Sequence, residues 1–166
     1  MPARLGISIG DPNGIGLETA LKAVSKMGAG NVEIEVLLIG DSNLIWNESE
    51  KFEMQCPEIL DPGVAFPEAR YGEISAKAGE ASAAWVEAGI AACLKGDLDG
   101  LVTAPIHKHA WELAGIDFPG HTELLGEQCG TERFGMMLMG KGLRVFLATR
   151  HLPLAQVAST LDESDI

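Results

Sequence analysis

Leu5-Gly6-Ile7-Ser8-Ile9-Gly10-Asp11-Pro12-Asn13-Gly14-Ile15-Gly16-Leu17 decides the reading of the chain. Its first five residues are a short apolar run, the pattern of a buried strand. Residues 10–16 are dense in turn formers. From Leu17 onward, Leu21 and Val24, with Ala20 beside them, recur at helical spacing. Strand, glycine-rich turn and helix follow one another, the unit from which parallel α/β sheets are assembled.

The same alternation continues outward from this unit. Ile34 to Ile39 reads as a second buried strand, followed by Gly40-Asp41-Ser42-Asn43, where Asp41 or Ser42 can cap a short helix. Residues 47–75 hold Pro57, Pro62 and Pro67 with weak periodicity, so they read as an excursion with one short strand at Glu58 to Leu60. Ser75 to Lys95 carries Ala78, Ala81, Trp85, Ala88 and Ala92 at three- and four-residue steps, which predicts a long helix closed by Gly96. Gly100 to Ala104 reads as a strand ended by Pro105, then helices follow over His107 to Leu113 and Glu123 to Cys129. Met136 to Met139 and Leu143 to Ala148, joined by Gly140-Lys141-Gly142, predict a hairpin, and Leu154 to Thr160 a further helix. The expected fold class is therefore α/β, with a mixed, largely parallel sheet flanked by helices.

Composition bounds the function classes. The 166 residues suffice for one well-packed core, and 46% of them are hydrophobic. The net charge of −12 argues against duplex nucleic acid, whose binding needs Lys and Arg on phosphates. It leaves room for an anionic small substrate at a locally basic site. No apolar run approaches the ~20 residues of a membrane helix, and the N-terminus lacks a signal-peptide pattern. Cys56, Cys93 and Cys129 form no CxxC, which predicts reduced, mostly buried thiols in a cytoplasmic protein.

Four segments can carry chemistry. In the turn at 10–16, Asp11 and Asn13 stand among glycines that permit close approach of a ligand at a helix N-terminus. The spacing is neither GxGxxG nor a P-loop, and a plain strand-to-helix connection explains it equally well. Thr103-Ala104-Pro105-Ile106-His107-Lys108 lies at the carboxyl end of a strand, the edge where ligands bind in open α/β sheets. Lys108 there suits a phosphate or carboxylate, or else is a solvated helix-start residue. At Gly120-His121-Thr122-Glu123, His121 suits an anion when protonated or a hydroxyl when neutral, while Thr122 is also a helix-cap residue. In Thr149-Arg150-His151-Leu152-Pro153-Leu154, His151 follows a strand and is well placed for a metal, although one histidine does not make a metal site.

Taken in order, these four segments resemble the successive N-terminal motifs of the 4-hydroxythreonine-4-phosphate dehydrogenase family. The resemblance spans nearly the whole chain; Leu17 stands where the family commonly has proline. It implies a fold akin to the isocitrate and isopropylmalate dehydrogenases, truncated here to the N-terminal part (residues 1–166) of a two-domain enzyme. It implies a homodimer with active sites at the subunit junction, NAD as cofactor, and a divalent cation (Zn, Mg or Co not distinguished). The implied reaction is oxidation of a phosphorylated hydroxy acid, 4-phosphohydroxy-L-threonine, followed by decarboxylation to 3-amino-2-oxopropyl phosphate in pyridoxine biosynthesis. His121 and Thr122 match the family's substrate-binding pair, and His151 the first of three metal-binding histidines. The metal is implied to act as a Lewis acid. Asp11, Asn13, Thr103 and Lys108 are candidate pocket residues.

Family members are about twice this length, and His107, His109 and His121 do not fill the other two metal positions. The segment Thr160-Leu161-Asp162-Glu163-Ser164-Asp165-Ile166 carries residues suited to the start of a helix, which predicts truncation unless it is simply a frayed tail. The isolated chain is therefore expected to be inactive. Two other readings stand beside this one: a dehydrogenase of another four-carbon phosphorylated acid such as a threonate phosphate, and a non-catalytic binding or dimerisation module.

Overall fold

The computed structural model describes residues 2–28, 34–131, 134–149 and 152–162. The chain divides into two compact units, Met1–Cys129 and Gly130–Ile166.

The first unit is built on a parallel sheet of four strands: β1 (Ala3–Ser8), β2 (Ile34–Ile39), β3 (Glu58–Leu60) and β4 (Gly100–Thr103) in the order β3-β2-β1-β4. The helices are α1 (Gly16–Gly28), α2 (Ser42–Lys51), α3 (Ala76–Lys95), α4 (Lys108–Leu113) and α5 (His121–Gln128). β1 pairs with β2 from Ala3↔Ile34 to Ser8↔Ile39, and with β4 from Leu5↔Gly100 to Ser8↔Thr103. All four strands run the same way, so their carboxyl ends share one edge, which gathers the loops after β1, β2, β3 and β4. Burial on both faces is why β2 ends in an unbroken apolar run rather than an alternating one, and why Gly6, Ile7 and Ser8 at the end of β1 are all buried.

Local chemistry sets the helix ends. Asp41 caps α2: its Oδ1 accepts from the amides of Asn43 at 2.8 Å and Leu44 at 3.0 Å, while Oδ2 accepts from Phe66 N. Ser75 caps α3, accepting from Ala78 N, and Gly96 closes that helix with φ 80° in the left-handed region. α3 is rich in alanine and glycine because neighbours press on it closely. A Cβ on Gly79 would stand 2.1 Å from the Ala110 carbonyl oxygen, and one on Gly89 would meet Leu101 Cδ1 at 2.6 Å.

Two apolar clusters share α3. The larger joins Ile7, Ile9, Leu17, Leu21, Leu37, Leu38, Ile39, Leu44 and Ile45 to Ala78, Ala81 and Trp85. The smaller joins Ala83, Val86 and Ile90 of α3 to Trp111 of α4 and Leu124 of α5. The second unit holds the hairpin of β5 (Met137–Gly140) and β6 (Leu143–Phe146) and the helix α6 (Leu154–Thr160). Its turn has positive φ at Lys141 (43°) and Gly142 (87°), the geometry that matches strand twist in two-residue hairpins.

Three expectations need correcting. The hairpin forms its own two-stranded antiparallel sheet, with its strands bonded to one another, rather than adding to the parallel sheet and making it mixed. Thr122 does not cap α5; the cap position is Gly120, and the helix starts at His121, with no side-chain capping bond. The thiols are less buried than expected: all three are free, Cys56 and Cys93 half-buried and Cys129, at the carboxyl end of α5, exposed. No helix among the described residues is long and apolar enough to cross a membrane.

Candidate functional site

The glycine-rich turn and the loop after β4 are built into one another. Ala104 N donates to Ser8 O at 2.9 Å, carrying the β1–β4 pairing one residue past the strand end. Asp11 N then donates to Pro105 O, also at 2.9 Å. Gly10, with φ 73°, passes so near this loop that a Cβ would stand 2.3 Å from Pro105 O. A Cβ on Gly16 would stand 2.3 Å from Ile9 O. These glycines are required by close backbone packing within the fold, which is the plain-connection reading of the turn.

Asp11 and Asn13 are both buried. Asp11 Oδ1 accepts from Asn13 N at 2.8 Å, so the carboxylate helps to shape the turn, and Gly14 N closes it by donating to the Asp11 backbone carbonyl at 2.9 Å. Asn13 reaches across to residues 70–73. Its Nδ2 donates to Glu73 O at 2.8 Å, its Oδ1 accepts from Arg70 N at 2.8 Å, and its own carbonyl accepts from Gly72 N at 2.9 Å. The amide side chain thus has both ends engaged and acts as a clamp. Beside it opens a cleft of about 290 Å³ lined by Asn13, Phe66, Pro67, Glu68, Arg70, Glu73, Ser75 and Lys77.

Thr103 is half-buried at the end of β4, and Lys108 is exposed as the first residue of α4. The Lys108 stem turns towards the α5 N-terminus: a Cβ on Gly120 would lie 3.7 Å from Lys108 Cε and 3.9 Å from Glu123 Oε2. His121, Thr122 and Glu123 are half-buried. The His121 ring lies edge-on to Trp111, with centroids 5.7 Å apart and planes at 72°. Its Nε2 is buried and has no hydrogen-bond partner. Burial away from water pushes its pKa below the ordinary histidine value of 6.5. The imidazole is therefore neutral at pH 7. In that state one ring nitrogen donates and the other accepts, which suits a ligand hydroxyl or a phosphate oxygen according to the tautomer.

The sequence-predicted residues thus fall into two groups around the same sheet edge. Asp11 and Asn13 are hydrogen-bonded to the Ala104–Pro105 loop and to residues 70–73, while the Lys108 stem lies beside Gly120. His151 lies outside the described residues. Among the described residues, no three His, Cys, Asp or Glu side chains converge as a metal-binding group, so they do not by themselves assemble a site for the implied cation. Trp111 and Ser82 were not singled out in the sequence: a tryptophan at helical spacing signals core, and only the fold brings it against His121.

Against this geometry, comparison with known proteins is decisive. A family model described as pyridoxal phosphate biosynthetic protein PdxA matches residues 12–166. The chain belongs to the PdxA family. A 4-hydroxythreonine-4-phosphate dehydrogenase of Nostoc sp. is 38% identical over 95% of this chain and 49% of its own length. A Symbiobacterium thermophilum protein provisionally named D-threonate 4-phosphate dehydrogenase is 36% identical over 92% of this chain and 50% of its own. Among solved PdxA-type structures, the 4-hydroxythreonine-4-phosphate dehydrogenase of Klebsiella pneumoniae superposes with a TM-score of 0.84 at 27% identity, covering 99% of this chain and 55% of that one. The chain spans about half the length of the curated relatives it matches. Its α/β fold is that of the PdxA dehydrogenases, and its relatives are oxidoreductases.

Proposed function

We propose that this chain supplies the substrate-binding part of an NAD- and divalent-metal-dependent dehydrogenase that converts 4-phosphohydroxy-L-threonine to 3-amino-2-oxopropyl phosphate. The observation that carries the reading is the buried, unpartnered Nε2 of neutral His121, at the start of α5 beside Thr122 and near the Lys108 stem. A buried polar atom without a partner is costly unless something pairs with it, and a ligand hydroxyl or phosphate does so. Thr122 adds a hydroxyl one residue on, and Lys108 a mobile positive charge suited to a phosphate. Family membership supports the rest of the reading, including pyridoxal phosphate biosynthesis, a cytoplasmic location and a homodimer with sites at the subunit junction.

NAD would supply the hydride acceptor, and a divalent cation, which His151 would help to hold, would supply Lewis-acid polarisation of the substrate oxygen. The chain's own contribution is narrower: it binds and orients the substrate through His121 and Thr122, with Asp11, Asn13 and Thr103 shaping the neighbouring loops. His151 is one candidate cation ligand of the three that the family resemblance implies, so the 166 residues alone should bind a cation weakly and form no NADH.

The Symbiobacterium relative favours a second substrate, a threonate 4-phosphate, on the same site. The test is NADH formation by the intact protein from its own cells, with NAD, a divalent cation and each phosphate in turn. Turnover of 4-phosphohydroxy-L-threonine, with KM raised at least tenfold in His121→Gln, is the expected result. Preference for threonate phosphate would move the assignment to the second substrate. Turnover of neither would overturn the dehydrogenase reading and leave a non-catalytic module, while turnover with a KM indifferent to His121 would remove His121 from the substrate site.

A further inference from the structure

α3 and α4 touch backbone to backbone where Gly79 meets Ala110, a contact that any side chain on Gly79 would break. The approach sets Ser82, one turn along α3, beneath the indole of Trp111. Trp111 is fully buried, and its Nε1–H donates to Ser82 Oγ at 2.9 Å. The Ser82 hydroxyl in turn donates to Gly79 O at 2.9 Å. Two hydrogen bonds in series therefore tie the indole to the α3 backbone, and the ring has one place to sit. The His121 ring meets the same ring system nearly perpendicularly, with centroids 5.7 Å apart and planes at 72°.

We propose that Trp111, locked by Ser82, is a positioning residue that fixes the orientation of the His121 ring and keeps water from it, so that Nε2 is offered to the substrate. The proposal rests on the reading of His121 as a substrate-binding group. Simple core filling would need neither the serine nor the perpendicular contact. An aliphatic side chain fills space without a polar atom to satisfy, whereas a buried indole N–H requires a partner, and here the partner is a hydroxyl that is itself committed. The groups around the imidazole leave burial as the dominant influence. α3 presents Ala83, Val86 and Ile90 to the Trp111 cluster and Ser82 to its indole, all uncharged, while Lys108 of α4 and Glu123 of α5 lie beside Gly120. The lowered His121 pKa, caused by burial, agrees with this arrangement.

The experiment is a histidine-resolved NMR pH titration of the 166-residue chain, with the His121 resonance assigned from its loss in His121→Gln. Trp111→Leu and Ser82→Ala are compared with Trp85→Phe. Trp85 is the matched control: it is also fully buried on α3, with Nε1–H donating to Val64 O at 3.3 Å, but it belongs to the other cluster. The expected result is an upward shift of the His121 titration in Trp111→Leu, a smaller upward shift in Ser82→Ala, and none in Trp85→Phe. If Trp111→Leu does not fold, Ser82→Ala decides alone. Variants that melt earlier yet leave the His121 titration unmoved would overturn the proposal. The substrate reading is judged separately by the KM of His121→Gln in the intact protein, so either can fail without the other.

Discussion

Replacing Asn13 with alanine separates a clamp from a ligand group. Its side chain makes two hydrogen bonds of 2.8 Å, to Arg70 N and Glu73 O, across separations of 57 and 60 residues. Each is worth about 0.5–1.5 kcal/mol net, and a partner left unpaired costs about 1–3 kcal/mol where water cannot reach it. Both partners are part-buried, and the bond from Gly72 N to Asn13 O survives the substitution because it uses the backbone. Water then replaces some of the loss, so Asn13→Ala should destabilise the first unit by about 2 kcal/mol, within bounds of about 1 and 4 kcal/mol. Asn13→Asp should do no better, since it sets oxygen against oxygen at Glu73. Urea unfolding followed by tryptophan fluorescence gives the free energy, and amide hydrogen exchange at Arg70 should speed up in step. A loss under about 0.5 kcal/mol, with Arg70 exchange unchanged, would refute the clamp and return Asn13 to the list of ligand groups.

Gly10→Ala should destabilise by more than the ~1 kcal/mol typical of an unfavourable φ, because the new methyl also meets Pro105 O; thermal melting checks it. Asp41→Ala removes three backbone partners at once and should cost about 2–4 kcal/mol in urea, with faster exchange at Leu44 and Phe66. His121 gives a pH signature. Its folded-state pKa lies below the unfolded value of 6.5, so the unfolded chain binds the extra proton first. The stability it contributes is complete above about pH 6.5 and falls as pH drops through the folded value. His121→Gln should flatten that part of the stability profile; an unchanged slope would contradict the burial of the ring.

Much of the fold was legible because its signals are local. β2, β3 and α6 fall where apolar runs and turn residues place them, and Ser75 and Gly96 bracket α3 by their own backbone chemistry. α2 was only half visible: its cap, Asp41, could be read, but its second half runs into the proline-rich stretch whose weak periodicity reads as an excursion. The start of α5 was misplaced because threonine is a common cap, while the chain uses Gly120 with an extended φ of 170°. The candidate site was legible as residue types and order, not as contacts. Nothing near Asn13 in sequence announces Arg70 or Glu73, and nothing near His121 announces Ser82. Those partners are set by the sheet, which brings together segments that sequence spacing keeps far apart.

The place of β1 in that sheet has a consequence during synthesis. Its two edges are satisfied by strands made at very different times, β2 soon after it and β4 only once residues 100–103 exist. Some sixty residues separate the end of β2 from the start of β4. At about 5–20 residues per second, a nascent chain carries β1 with one open edge for roughly 3–12 s. During that interval Leu5 to Ile7, with bare amides and carbonyls, is a template for any extended segment nearby. Arrest peptides that sense tension on the emerging chain should therefore register a folding event only after β4 has cleared the ribosome.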